Sequence, residues 1–384
     1  MTACHVCGAP AVQALDQGSI RFRLVSSDVQ PVDGTAEFGF CPACGTVQKA
    51  VTSAWRAMTQ HIYANYDINH QGRGAEPMIF DSAKGSGPRS LILLRNLLDT
   101  IDLPEGGRLL DIGCSNGNLL KSFHDLRPAW KLSGSELSDT WRAAVTALPG
   151  VEQFYSGLHP VYAGPYDLVS LSHVLEHITD PAAFLRRIAA HLGEGGRILL
   201  AVPDLDQNPI DLLIADHCSH FDGESLASVV QRAGLALDLL SSSLLPKELI
   251  AVLSRGPGRG QVLWRKGSPA DLAGRHFALI GEVRDAARRA AAAGRTFGIM
   301  GSSIAACWLM LELQGRVGFF VDEDPNRVGH DLAGLPILAP EQAPTDAVVF
   351  IPMSAAVAHK IIGRWNHLPI DFRFVASNAT PVRV

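Results

Sequence analysis

Three sets of residues in this chain have the types and spacing for chemistry. In "SHVLEH", His173, Glu176 and His177 stand at H-x-x-E-H spacing, which on a helix gathers two imidazoles and a carboxylate around a metal. Cys4-x-x-Cys7 and Cys41-x-x-Cys44 each carry a following glycine, which lets the chain turn tightly enough for backbone N–H groups to face thiolates. In "RLLDIGCSNGNLLKSF", an apolar run ending at Asp111 leads through Gly113 and Gly117 into a helical pattern starting near Asn118. Such a turn points N–H groups and the positive end of a helix dipole at a ligand.

Each set requires its own scaffold. Four thiolates make a closed tetrahedral site with no position for water, so the cysteine pairs imply a structural zinc rather than a catalytic one. The 33 residues between Cys7 and Cys41 exceed the spacing of compact ribbons, and Cys114, Cys218 and Cys307 stand alone. In a zinc peptidase the H-x-x-E-H residues would lie within a long helix. Here "YDLVSLS" is a strand pattern running straight into them, which puts the motif at the end of a sheet strand instead. Asp180 and Pro181 then read as the N-cap and first turn of the next helix.

The 384 residues are 47% hydrophobic and 18% charged, enough to bury two or three cores. A formal charge of −5 without a basic stripe excludes the electrostatic footprint of a nucleic-acid binder. The absence of a long apolar run or an N-terminal signal pattern makes a cytoplasmic, membrane-free location the expectation. Texture divides the chain into residues 1–75, a zinc-binding module and linker; 76–255, where strand and helix patterns alternate; and 256–384, a smaller α/β domain after the breaker-rich "SRGPGRGQ". No feature sets an oligomeric state.

In the middle segment "KLSGSELS" ends in Glu136, at the distance beyond the glycine loop where a doubly wound fold places a carboxylate on ribose hydroxyls. A dinucleotide fingerprint would need G-x-G-x-x-G for close approach to a pyrophosphate. The loop here is G-C-S-N-G preceded by Asp111, which suits S-adenosylmethionine better. "LLDIGCSNGNLL", the Glu136 strand end and "YDLVSLSHVLEHITDPAAFLRRIAAHLGEGGRILLAVP" resemble, in order, motifs of class I S-adenosylmethionine-dependent methyltransferases. The fold class expected is therefore α/β, a Rossmann-like class I methyltransferase core with an N-terminal zinc-binding module and a C-terminal α/β domain. The resemblance implies a donor site lined by Asp111, Gly113, Gly117, Asn118, Glu136, Leu137 and His173.

Over nearly its whole length, with "IADHCSHF" and "FFVDEDPNRVGHDLAGLPIL" added, the chain resembles the zinc-containing NDP-sugar C-methyltransferase family. That likeness implies methylation of a carbon beside a ketone on a nucleotide-linked deoxysugar. The family's Glu-His pair falls on Asp216-His217, so His217 is expected as general base with Asp216 orienting it; imidazole titrates near neutral pH. The family's tyrosine three residues earlier is Ile214 here, which has no hydroxyl, so carbon or oxygen stays open as the acceptor atom. His173, Glu176 and His177 either hold a catalytic metal, as in some catechol-type O-methyltransferases that they resemble, or pack beneath the donor. Tyr63, Tyr66 and His70 either line the acceptor pocket or are surface aromatics. A donor-binding protein without turnover is the alternative to an enzyme.

Overall fold

The apolar strands of the middle segment are hydrophobic on both faces because helices cover both. A computed structural model describes residues 3–15, 22–67, 72, 74–82, 85–158, 160–256 and 269–376. His70 and most of the 254–261 stretch lie outside these described residues. Seven strands form the central sheet, in the spatial order Val151–Ser156, Lys131–Glu136, Arg108–Ile112, Tyr166–Ser172, Leu192–Pro203, Glu248–Arg255 and Leu235–Ser241. The first five run parallel, with Leu110 opposite Ser133 on one side and Val169 on the other. Glu248–Arg255 is antiparallel to both of its neighbours.

On one face, helices Arg89–Leu98 and Asn118–Leu126 supply Leu93, Leu97, Leu120 and Phe123 to a core with Leu109, Leu132 and Leu168. On the other, Pro181–Ala189 and Gly223–Arg232 supply Leu185, Ile188, Leu226 and Val229. The expected cap is present, the Asp180 side chain accepting from Ala183 N, and Asp222 closes a capping box with Ser225. A strand order that reverses direction between Arg108–Ile112 and Tyr166–Ser172 opens a crevice at their carboxyl ends, where such sheets bind ligands.

The cysteine pairs belong to a four-stranded sheet in the order Gln13–Ala14, Phe38–Phe40, Val47–Lys49 and Ser219–His220. Its last strand comes from far beyond the residue-75 boundary, pairing Ser219 with Gln48 and His220 with Val47. Cys4, Val6 and Cys41 accordingly share a core with Phe221 and Leu226.

The C-terminal segment is a second doubly wound sheet. Its strands lie in the order Asp331–Leu332, Leu335–Leu338, Phe319–Val321, Phe297–Met300, Val348–Ile351 and Asp371–Phe374, parallel except for the outermost pair. Helices Pro269–Ala291 and Ile304–Leu313 pack against the short helical turn Pro209–Leu213, whose Leu212 and Leu213 enter the core around Trp308. Among the described residues no helix is long and apolar enough to cross a membrane. Because Leu212 is fully buried between segments, Leu212→Ala is expected to cost about 2–5 kcal/mol of unfolding free energy in urea titration, with one cooperative transition shared by the core and the C-terminal sheet.

Candidate active site

The glycine loop is shaped by two residues that have no room for a side chain. Gly113 has φ +75°, and a Cβ there would sit 2.6 Å from Val174 Cγ2; Gly117 has φ +86°, and its Cβ would meet Leu148 Cδ1 at 2.5 Å. The turn is tied to the next strand by Gly113 N and Cys114 N, which both donate to Ser135 O. Helix Asn118–Leu126 follows with Gly117 as its N-cap. Glu136 ends the Lys131–Glu136 strand as expected, its two oxygens accepting from Ser115 N at 3.0 Å and Leu137 N at 2.7 Å. Each oxygen keeps a further lone pair, the capacity that binding a ribose diol requires.

Asp111 is 2% exposed and accepts from Ser170 Oγ at 2.6 Å; burial pushes its carboxyl up to about 7. Asn118 Nδ2 donates to Gly74 O, joining the loop to the linker, and Leu137 is half-exposed. Together these residues fit a ligand that offers hydroxyls to a carboxylate and lies against backbone.

H-x-x-E-H follows strand Tyr166–Ser172, with Leu175–His177 as a single helical turn rather than part of a long helix. His173 has φ +55°, and both its nitrogens face carboxylates: Nδ1 lies 3.0 Å from Glu176 Oε1 and Nε2 3.3 Å from Glu248 Oε2. Burial opposes its charge, yet Glu248 prevails and pushes His173 up to about 9. Glu248 is itself gripped by the Arg89 guanidinium. His173 is thus held between Glu176 and Glu248, and the group whose ligand atom lies near those of Glu176 and His177 is His217.

Fully buried Asp216 does not orient His217 as expected. It accepts from Ser27 N at 2.9 Å and Ser27 Oγ at 2.6 Å, and its Oδ2 is 3.3 Å from His177 Nδ1. The carboxylate holding His217 is Asp211, which accepts from His217 Nδ1 at 2.7 Å through Oδ1 and from His220 Nδ1 through Oδ2. Against its burial, His217 and His220 hold Asp211 well below the usual carboxylate range. His220 is lowered to about 4, chiefly by burial, and stays neutral; its Nε2 accepts from Lys49 Nζ at 3.1 Å. Asp211 was missed in the sequence, where only an acid six residues before a histidine could have signalled it.

The N-terminal module fixes the backbone that carries these groups. Fully buried Lys49, lowered to about 8 by burial, donates to Ile214 O at 2.7 Å and His217 O at 2.9 Å. Trp55 Nε1 donates to Ala215 O at 3.0 Å. The Ile214 side chain is buried and supplies no polar group, while its backbone bridges to Val25. A hydroxyl arrives from another element: Tyr63 Oη lies 2.9 Å from His177 Nδ1, and Tyr66 Oη lies 3.3 Å from Ser27 Oγ.

Cys4, Cys7, Cys41 and Cys44 converge, with Sγ separations of 3.6 Å for Cys4–Cys44 and for Cys7–Cys41. A zinc–thiolate tetrahedron has an edge of about 3.8 Å, so the donor set fits zinc. Gly8 at φ +77° and Gly45 at φ +73° close the two turns onto the carbonyls of Cys4 and Cys41.

Comparison with known proteins bears on the middle segment. Residues 86–240 match the family model described as a methyltransferase domain. The ubiquinone biosynthesis O-methyltransferase of Caulobacter sp. (strain K31) is 37% identical over 103 residues, 25% of this chain and 41% of that protein. The trans-aconitate 2-methyltransferase of Azoarcus sp. (strain BH72) is 30% identical over 111 residues, 28% of this chain and 44% of that protein. The chain thus spans less than half the length of these relatives. A solved S-adenosylmethionine-dependent methyltransferase from Mesorhizobium loti aligns over 42% of this chain and 95% of its own at 19% identity, with a TM-score of 0.35. The chain carries a methyltransferase domain at residues 86–240.

Asp211→Asn removes the charge between two imidazoles while keeping the shape. It is expected to lower the unfolding free energy by about 3–5 kcal/mol in denaturant titration.

Proposed function

We propose that this chain transfers the methyl group of S-adenosylmethionine to a small polar acceptor, at a carbon beside a ketone on a nucleotide-linked sugar, with His217 as general base. The observation that carries this reading is the buried His217–Asp211 pair close to the glycine loop: Val174 abuts Gly113, and Cys218 N, next to His217, donates to Glu176 O. When bound, the donor supplies an electrophilic methyl group on a sulfonium, which the acceptor carbon gains as the C–S bond breaks.

The chain's residues do the rest. Asp211 holds the Nδ1–H tautomer of His217, so the Nε2 lone pair is the one that takes the α-proton. Glu136 grips the ribose, and the Gly113 turn lets backbone approach the donor. The His177–Tyr63 contact offers a polar group to the acceptor's oxygen. A nucleotide portion is supported by the second doubly wound sheet. At its switch point Gly301, at φ +85°, precedes helix Ile304–Leu313, and Asp322 orders the turn by accepting from Ser302 N and Oγ. The four cysteines hold a structural zinc in this reading. Transfer to oxygen is the second reading, favoured by aliphatic Ile214 and by the O-methyltransferase names of the relatives; His217 would then deprotonate a hydroxyl.

Incubation with S-adenosylmethionine and a panel of keto-sugar nucleotides in heavy water is expected to give a C-methylated product and α-deuteration. A methyl ether without exchange would establish oxygen as acceptor, and no methylated product with any acceptor would refute the enzyme reading. His217→Ala is expected to slow transfer by ~10²–10⁴-fold while donor affinity by calorimetry is unchanged. Elemental analysis should find one zinc in the protein as isolated, lost together with stability in Cys41→Ser.

A further inference from the structure

A second metal-competent cluster stands apart from the cysteines. One ligand atom each from Glu176, His177 and His217 lies within 4.8 Å of the other two. Glu176 is 0% exposed; Oε1 faces His173 Nδ1 at 3.0 Å, while Oε2 is buried without a hydrogen-bond partner. An orphaned buried acceptor is costly, and more so when charged. A cation there would remove that cost.

The two histidines are prepared in the way metal-binding histidines are. His217 Nδ1 is taken by Asp211, and His177 Nδ1 by Tyr63 and Asp216, which leaves Nε2 of each ring for a ligand. A carboxylate behind each imidazole fixes its tautomer and raises its basicity toward a metal. The backbone is held as well: Cys218 N donates to Glu176 O at 2.9 Å, and Lys49 Nζ to His217 O. Tetrahedral N and O ligands of zinc lie about 3.4 Å apart, inside the 4.8 Å that bounds this cluster.

We infer that Glu176, His177 and His217 form a binding site for one divalent transition-metal ion of the zinc class, with an open fourth position, and that filling it switches methyl transfer off. The N,N,O donor set suits zinc, cobalt or nickel rather than magnesium or calcium. The inhibitory consequence rests on the base assignment above: the Nε2 pair that takes a proton cannot at the same time bind a metal. The existence of the site does not rest on it.

The test uses the full chain with its cysteine cluster filled, titrated with Co²⁺ and, separately, Zn²⁺ at neutral pH. The expected result is one further equivalent by elemental analysis. With cobalt, ligand-field bands should grow without added thiolate-to-metal charge transfer, which marks the ion as bound outside the cysteines. Glu176→Gln and His177→Gln should each retain the first equivalent and a native circular dichroism spectrum while losing the second. Wild-type protein that takes up no further equivalent, or two folded variants that both keep it, would overturn the site. Followed separately, methyl transfer should fall by about 10²-fold on loading and recover with a mild chelator. Undiminished transfer with the second ion bound would overturn the assignment of His217 as base and leave the site standing.

Discussion

The buried carboxylate of Asp211 is the interaction on which the arrangement of this site depends. Taking a charge out of water costs several kcal/mol, and only well-placed partners offset it. Asp211 has two, the Nδ1 groups of His217 and His220, and the second of these is backed by Lys49. The result is a fixed alternation of charge and tautomer running from the cysteine-bearing sheet to His217. Because Asp211 sits on the Pro209–Leu213 turn, with Leu212 and Leu213 locked into the C-terminal core, all three segments bear on one imidazole.

This arrangement explains what a closed four-cysteine site could contribute to an enzyme. It orders the first strands of the chain, and these carry Lys49 and lead to Trp55, which together grip the carbonyls of Ile214, Ala215 and His217. A connecting loop is ordinarily mobile. Here its carbonyls are clamped by side chains from another segment, and its last residues are paired as a strand. A site whose neighbours are fixed loses less to reorganisation during reaction.

What could be read in the sequence was local. The glycine loop, the strand ending at Glu136, the cap at Asp180 and the strand feeding "HVLEH" all follow from neighbouring residues, and each is found where spacing placed it. The partners of the chemical groups are another matter. Asp216 follows the family's acid by adjacency, yet it turns to His177 and Ser27, because an Asp carboxylate beside His217 in the chain need not face it in space. His173, at motif spacing, is claimed by Glu248 from a strand 75 positions later (248 − 173). Lys49 reaches His220 across a separation of 171. No periodicity or spacing encodes such meetings; they come from how sheets stack.

The completion of the cysteine-bearing sheet by Ser219–His220 also constrains how the chain is made. As the polypeptide is synthesised from its N-terminus, strand Val47–Lys49 emerges with an unpaired edge and a lysine that has nowhere dry to go. Its partner is not yet translated, and such edges are templates for pairing between molecules. With the zinc proposed above, occupation of the four thiolates early in synthesis would stiffen this half-finished sheet while it waits, and metal supply to the nascent chain would bear on the yield of folded protein as well as on the finished site.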